Sequence, residues 1–293
     1  MNVVLGAEGP LGWVLAERLS RESKQVRAVF LERVTGDYGL PLAQKVVIDA
    51  LKAGNVVEAC KGAGIIYDCY EPNHASRKEV WTQVTSNVLL ASIEVTAPLV
   101  FASHLLNSES ENATMEGDIL RAHQSNLVPT VVARIPQLIG IRVVNPLWKV
   151  IYDSVLSGKK AHWVGDSKVP RSFLDVEDGA GAMVLLGENA HCRGRAWNLS
   201  GEEAITGTQF IKMAFRAVGR EPKVGSWGRG VFLTGVLSSE AREMTRMQYD
   251  YYSSFILDGK EFAETFPSFS FATPDDSVSR GIAWYRAQFK TKS

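Results

Sequence analysis

The chain has 293 residues, 45% of them hydrophobic and 22% charged, which suits one large α/β domain or a core domain with a smaller companion. Lys+Arg and Asp+Glu both number 32, so the formal net charge is zero, which argues against a nucleic acid or an anionic membrane surface as the main partner. Cys60, Cys69 and Cys192 stand far apart with no Cys-x-x-Cys pair and read as reduced, buried thiols of a cytoplasmic protein, and no apolar run reaches the roughly 18 residues of a membrane span.

In chain order, NVVL (2–5) reads as a buried strand rather than a signal peptide. Residues 10–23 read as a helix, with Leu11, Val14, Leu15 and Leu19 at helical spacing and Pro10 tolerated in the first turn. VRAVF (26–30), KVVID (45–49) and GIIYDC (64–69) are further strands, with a short helix over 53–62 between the last two. A long helix over 76–95 leads into strand PLVFAS (98–103), and a helix near 113–125 precedes strand PTVVARI (129–135). Strands alternating with helices predict right-handed βαβ units and a parallel sheet covered on both faces.

After about residue 140 the chain turns irregular and rich in Trp, Pro and Gly, as in NPLW (145–148), HWVGDSKVPRSF (162–173) and KVGSWGRGVF (223–232). Helices are expected near 176–187, 207–219 and 275–289. The spacing predicts a core over 1–140, with 141–293 supplying the remaining core strands interleaved with a small substrate-binding lobe.

GAEGPLG (6–12) places Gly6, Gly9 and Gly12 three residues apart between the first strand and the first helix. That arrangement sets a pyrophosphate on a helix N-terminus: Gly6 for the tight turn, Gly9 for close approach of backbone to phosphate, Gly12 for helix–sheet packing. Glu8, Pro10 and Leu11 belong to the same cradle. Eighteen residues beyond Gly12 stands Phe30, where an NAD site would usually offer an acid, so the reading leans to NADP over NAD. Just beyond, Arg33 could meet a 2′-phosphate and Glu32 a ribose hydroxyl; a solvated loop charge is the alternative for each. Asp49, at the end of the third strand with Ala50 beside it, can accept from an adenine amino group or simply cap the strand.

These segments resemble the extended or atypical short-chain dehydrogenases/reductases of the NAD-dependent epimerase/dehydratase group, over nearly the whole chain. GAEGPLG is similar to that family's glycine loop, VIDA (47–50) to its adenine-contacting Asp, and Asn87 to its helix Asn. VFAS (100–103) resembles the strand before its catalytic Ser/Thr, and VVARIPQLIG (131–140), with Ile135 and Pro136, the turn bordering the nicotinamide. RSFLDVEDGAGAMVL (171–185) and AWNLSGEEAITGTQF (196–210) resemble its later segments. The resemblance implies a Rossmann-type doubly wound sheet of seven strands with a small C-terminal substrate lobe, a nucleotide-sugar-like or other carbonyl-bearing small molecule as substrate, and a possible homodimer through the helices over 76–95 and 113–125. It also implies a catalytic Tyr and Lys four residues apart.

That pair is missing: no Tyr-x-x-x-Lys occurs anywhere in the chain. Aligning Glu116 with a family Glu puts Ser108 and Asn112 where Tyr and Lys would stand. The replacement candidates are His104, which titrates near neutral pH, Ser103 as a hydroxyl that polarises a carbonyl, and Tyr70 after the fourth strand. Glu109, Glu111 and Glu116 read as an acidic helix start. Arg171 resembles a residue that meets the substrate diphosphate, with pairing to Asp166 or Asp175 as the alternative. Trp163, with Trp148 and Trp227, lines a pocket or packs the lobe. Two functions stay open: an NAD(P)-dependent epimerase/dehydratase-like oxidoreductase with a non-standard acid/base, and a dinucleotide-binding sensor or regulatory protein without turnover.

Overall fold

The computed structural model describes residues 1–31, 40, 43–71, 77–105, 109–227 and 251–289, with backbone alone at 77–78 and 109–111. In chain order the elements are β1 (Asn2–Leu5), α1 (Pro10–Arg21), β2 (Val26–Phe30), β3 (Gln44–Val47), α2 (Ala53–Cys60), β4 (Ile65–Asp68), α3 (Arg77–Glu94), β5 (Leu99–His104), α4 (Glu109–Gln124) and β6 (Thr130–Ile135). There follow β7 (Gln137–Ile139), α5 (Pro146–Leu156), β8 (Ala161–Val164), β9 (Pro170–Arg171), β10 (Phe173–Asp175), α6 (Val176–Glu188), β11 (Ala196–Asn198), β12 (Ile205–Thr206), α7 (Gly207–Ala217), β13 (Val224–Trp227), α8 (Lys260–Thr265) and α9 (Pro274–Phe289).

Two compact units form, Met1–Ile135 with Glu177–Leu199, and Pro136–Val176 with Ser200–Ser293. The first is built on a seven-stranded sheet in the order β11-β6-β5-β4-β1-β2-β3, every neighbouring pair parallel. This is a Rossmann-type α/β sheet, wound outward in both directions from β1 and β4, which sit side by side at the point where the strand order reverses. Leu5 pairs with Asp68 across that point. The central strands are buried and read as continuous apolar runs, as a sheet covered on both faces requires, whereas edge strand β3 is largely exposed. Helix α4 begins at Glu109, earlier than the expected 113, and so brings Asn112 and Glu116 onto one helical face, four residues apart.

The second unit has an aromatic core. Trp148 stacks on Phe210 at 4.3 Å, with Trp163, Phe173 and Tyr152 around the pair. Gly207 passes so close to Trp163 that a Cβ there would come within 2.2 Å of the indole. Helix α5 lies where the sequence reads as irregular. Asn145 caps it by accepting from Trp148 N at 2.8 Å, Pro146 opens it, and Leu147, Trp148, Ile151, Tyr152 and Val155 form its buried face. The cap and that spacing were both present in the sequence, but the density of Trp and Pro concealed them.

All three cysteines are buried free thiols. Burial pushes the Cys60 thiol up to about 12 and Cys69 well above its ordinary value, which makes both poor nucleophiles at neutral pH. No helix among the described residues is long and apolar enough to cross a membrane.

Candidate functional site

The turn after β1 is shaped by close backbone approaches that exclude side chains. Gly6 has φ +76°, and a Cβ on it would lie 2.6–2.8 Å from Tyr70 N, Tyr70 Cα and Cys69 C at the end of β4. A Cβ on Gly12 would lie 2.2 Å from the Gly6 carbonyl oxygen. Gly9 donates its N–H to that same oxygen at 3.0 Å and is the N-cap of α1, with no side chain capping the helix. Among the described residues, a Cβ on Gly9 would meet only Gly6 O, at 3.4 Å, an ordinary contact. Pro10 occupies the first turn and Leu11 is buried against the sheet. The first turn of α1 thus presents backbone N–H groups and the positive end of a helix dipole at the switch point of the sheet. The cradle fits a dinucleotide pyrophosphate: Gly6 and Gly12 must be bare because backbone crowds them, and Gly9 leaves the helix N-terminus without a capping side chain.

Glu8, between the first two glycines, reaches sideways to the end of β2. Its Oε2 accepts from Leu31 N at 3.1 Å. Phe30 itself is buried, as its apolar character predicts. Glu32 and Arg33 lie outside the described residues.

At the end of β3, Asp49 closes a turn. Its Oδ1 accepts from Leu51 N at 3.1 Å, and Oδ2 pairs with Lys52 at 3.3 Å, the side chain staying half exposed. Asn87, buried on α3, donates from Nδ2 to the Ala50 carbonyl at 2.8 Å. Ala50 and Asn87, two of the expected cofactor contacts, are therefore joined to each other.

A buried polar network closes the C-terminal end of β5. Ser103 Oγ donates to Glu116 Oε1 at 2.6 Å and accepts from Asn112 Nδ2 at 3.1 Å. Asn112 Nδ2 also bonds the His104 carbonyl at 2.8 Å. Arg134 on β6 grips Glu116 Oε2 with Nε at 3.0 Å and Nη2 at 2.7 Å. The Ser103 hydroxyl thus donates to Glu116, and Asn112 ties α4 to β5. Ser108 lies outside the described residues, as do the side chains of Glu109 and Glu111.

His104, the last residue of β5, is buried with its Nδ1 3.6 Å from Glu71 Oε2, and its ring lies 6.3 Å from that of Trp81. Ile135, paired with it across the sheet, is fully buried and accepts from Leu105 N at 2.8 Å; Pro136 is the first residue of the second unit. Tyr70 is buried with its backbone against Gly6. Two residues back, sequence reasoning missed Asp68. Its Oδ1 accepts from Tyr70 N at 3.2 Å, Oδ2 finds no hydrogen-bond partner among the described residues, and burial pushes the carboxyl up to about 7. An acid inside the apolar run GIIYDC was the available signal.

In the second unit Arg171 is buried. It donates from Nη1 to Ser253 O at 2.9 Å, and its guanidinium lies 4.7 Å from the Tyr251 ring centroid. Of the acids expected as alternatives, Asp175 pairs with Arg280 at 2.8 Å and Asp166 accepts from Lys168 N. Trp163 is enclosed by the aromatic core at 1% exposure.

Neither a protein-family model nor a curated protein matches the sequence. Solved structures do match the fold. The dTDP-glucose 4,6-dehydratase of Bacillus anthracis str. Ames, in complex with NAD, superposes with a TM-score of 0.79 at 15% identity, covering 99% of this chain and 98% of that one. The fold is shared with that dehydratase. WbmH of Bordetella bronchiseptica, in complex with NAD+, gives 0.73 at 18% identity, covering 98% of each chain. UDP-N-acetylglucosamine 4-epimerase of Bacillus cereus gives 0.76 at 13%, covering 98% of this chain and 96% of that one. The Rossmann-type fold expected from the sequence is the fold of these enzymes.

Proposed function

We propose that the chain binds NAD and acts as an epimerase- or dehydratase-type oxidoreductase on a nucleotide-sugar-like or other carbonyl-bearing small molecule. The observation that carries this reading is the turn at the switch point, in which Gly6 is crowded by Tyr70 and Gly12 by the Gly6 carbonyl, with Gly9 as the N-cap of α1. It is supported by the complexes with NAD of fold neighbours that cover nearly the full chain.

In this reading the turn from Gly6 to Gly12, with Pro10 and Leu11 fixing the start of α1, holds the pyrophosphate. Glu8 faces the adenosine ribose, and Asp49, Ala50 and Asn87 border the adenine. Ile135 and Pro136 border the nicotinamide. Nicotinamide, when bound, supplies a hydride acceptor or donor. The chain itself must supply the proton, and His104 is the group we assign to take it from, or return it to, a substrate hydroxyl. Glu71 beside Nδ1 orients the imidazole. Ser103, its proton committed to Glu116, fixes the backbone that carries His104 instead of polarising the substrate. Tyr70 forms a wall beside the cofactor. Within the second unit, Trp163 packs the aromatic core and Arg171 is held by Ser253 O and the Tyr251 ring.

The test is native mass spectrometry of the purified protein for a co-purifying nucleotide, followed by a screen of NADH oxidation over carbonyl compounds and nucleotide-sugars. Bound NAD with turnover of at least one of these substrates is expected. Failure to bind any nicotinamide dinucleotide would overturn the reading, and binding without turnover across a broad panel would favour a sensor over an enzyme.

A further inference from the structure

Among the described residues, the end of β2 carries no acid of its own, yet a carboxylate stands beside it. Phe30 and Leu31 are apolar and buried there, which taken alone leans to NADP. The structure brings Glu8 from the glycine turn, 23 residues earlier, to accept from Leu31 N at 3.1 Å. In a doubly wound sheet the adenosine ribose of a dinucleotide bound at the first βα turn lies across the end of the second strand. A carboxylate anchored at that place, by a backbone N–H it need not release, can accept from the two ribose hydroxyls. A 2′-phosphate in the same place would bring a second anion against a partly buried first one, where screening is weak.

We infer that Glu8 makes the site selective for NAD over NADP, a loop residue performing the discrimination that an acid on the second strand would otherwise perform. The inference rests on the dinucleotide reading above and adds to it the residue that sets cofactor choice. Because Glu8 is fixed by the Leu31 amide, the selectivity is built into the turn itself.

Calorimetric titration with NADH and NADPH, on wild type and on Glu8→Gln, tests this without any appeal to turnover. Gln keeps an oxygen for the Leu31 N–H and removes only the charge, and unchanged far-UV circular dichroism and melting establish that the variant is folded. Wild type should bind NADH on the order of 100-fold more tightly than NADPH, and Glu8→Gln should cut that ratio by about 10-fold or more, mainly by tightening NADPH. A ratio that does not change between the two proteins, with both binding NADH, would overturn the role of Glu8 and leave the dinucleotide site standing. Wild type that binds both equally would do the same. Wild type that binds neither would overturn the inference together with the reading beneath it.

Discussion

Ser103 and Glu116 are 13 residues apart in the chain and joined by a 2.6 Å hydrogen bond between β5 and α4. The bond is one edge of a closed set. Arg134 occupies the other carboxylate oxygen, and Asn112 links the serine to the backbone of His104. A carboxylate this deeply buried is stable only because each oxygen has a partner. At the end of β5 this chain has a set of polar groups that satisfy one another and hold the strand end in position.

Glu116→Ala should therefore leave Arg134 and Ser103 facing a void and lower the unfolding free energy by about 3 kcal/mol in urea denaturation, whereas Glu116→Gln, which keeps the shape, should cost about 1 kcal/mol. A loss below about 0.5 kcal/mol for the alanine variant would show that the network contributes nothing to stability.

The turn offers a second contrast. Gly12→Ala forces a methyl to 2.2 Å from a backbone oxygen that cannot move without moving Gly6 and Tyr70. The variant should lose on the order of 2 kcal/mol of stability and most of its NADH affinity. Gly54→Ala, in the first turn of α2 with no atom within 4 Å of the added carbon, should instead gain about 0.5 kcal/mol and bind NADH unchanged. Equal behaviour of the two variants in thermal melts would refute the crowding argument.

Asp68 makes stability fall as pH rises. Its carboxyl, ordinarily at 3.8, titrates at about 7 in the folded chain because burial penalises the charge. Below about pH 4 both states bind the proton and the side chain is buried neutral. Between pH 4 and 7 the unfolded chain ionises first, so the folded state loses ground until the folded carboxyl itself ionises. The gap corresponds to about 4 kcal/mol at most. Asp68→Asn, which keeps an acceptor for Tyr70 N, should raise the melting temperature at pH 8 and leave it nearly unchanged at pH 4. A gain of the same size at both pH values would remove the titration as its cause.

Catalysis, if it runs through the imidazole, should be separable from binding. His104→Ala is expected to reduce turnover about 100-fold while the NADH dissociation constant stays within about 3-fold of wild type. Unchanged kinetics would strike His104 from the mechanism.

Much of this protein was legible in sequence, for physical reasons that differ from element to element. The alternation of β1, α1, β2 and their successors depends on the short-range period of apolar residues, and the need for bare backbone at Gly6 and Gly12 belongs to a turn only seven residues long. Helix α5 was equally local, capped by Asn145, and was hidden only by its composition. Long-range placement was not legible. Nothing near Ser103 announces that Glu116 will accept its hydrogen bond, since that follows from how α4 lies on β5. Asp68 is polar in the sequence and becomes a high-pKa acid only once the sheet closes over it. At the end of β2 the sequence supplied the apolar Phe30, and only the fold brings Glu8 there to accept from Leu31 N. Periodicity and turn chemistry act between neighbours in the chain, and so the sequence alone determined the elements and the glycine cradle. Which charge stands beside which strand end is decided by packing across tens of residues, and that only the tertiary structure could settle.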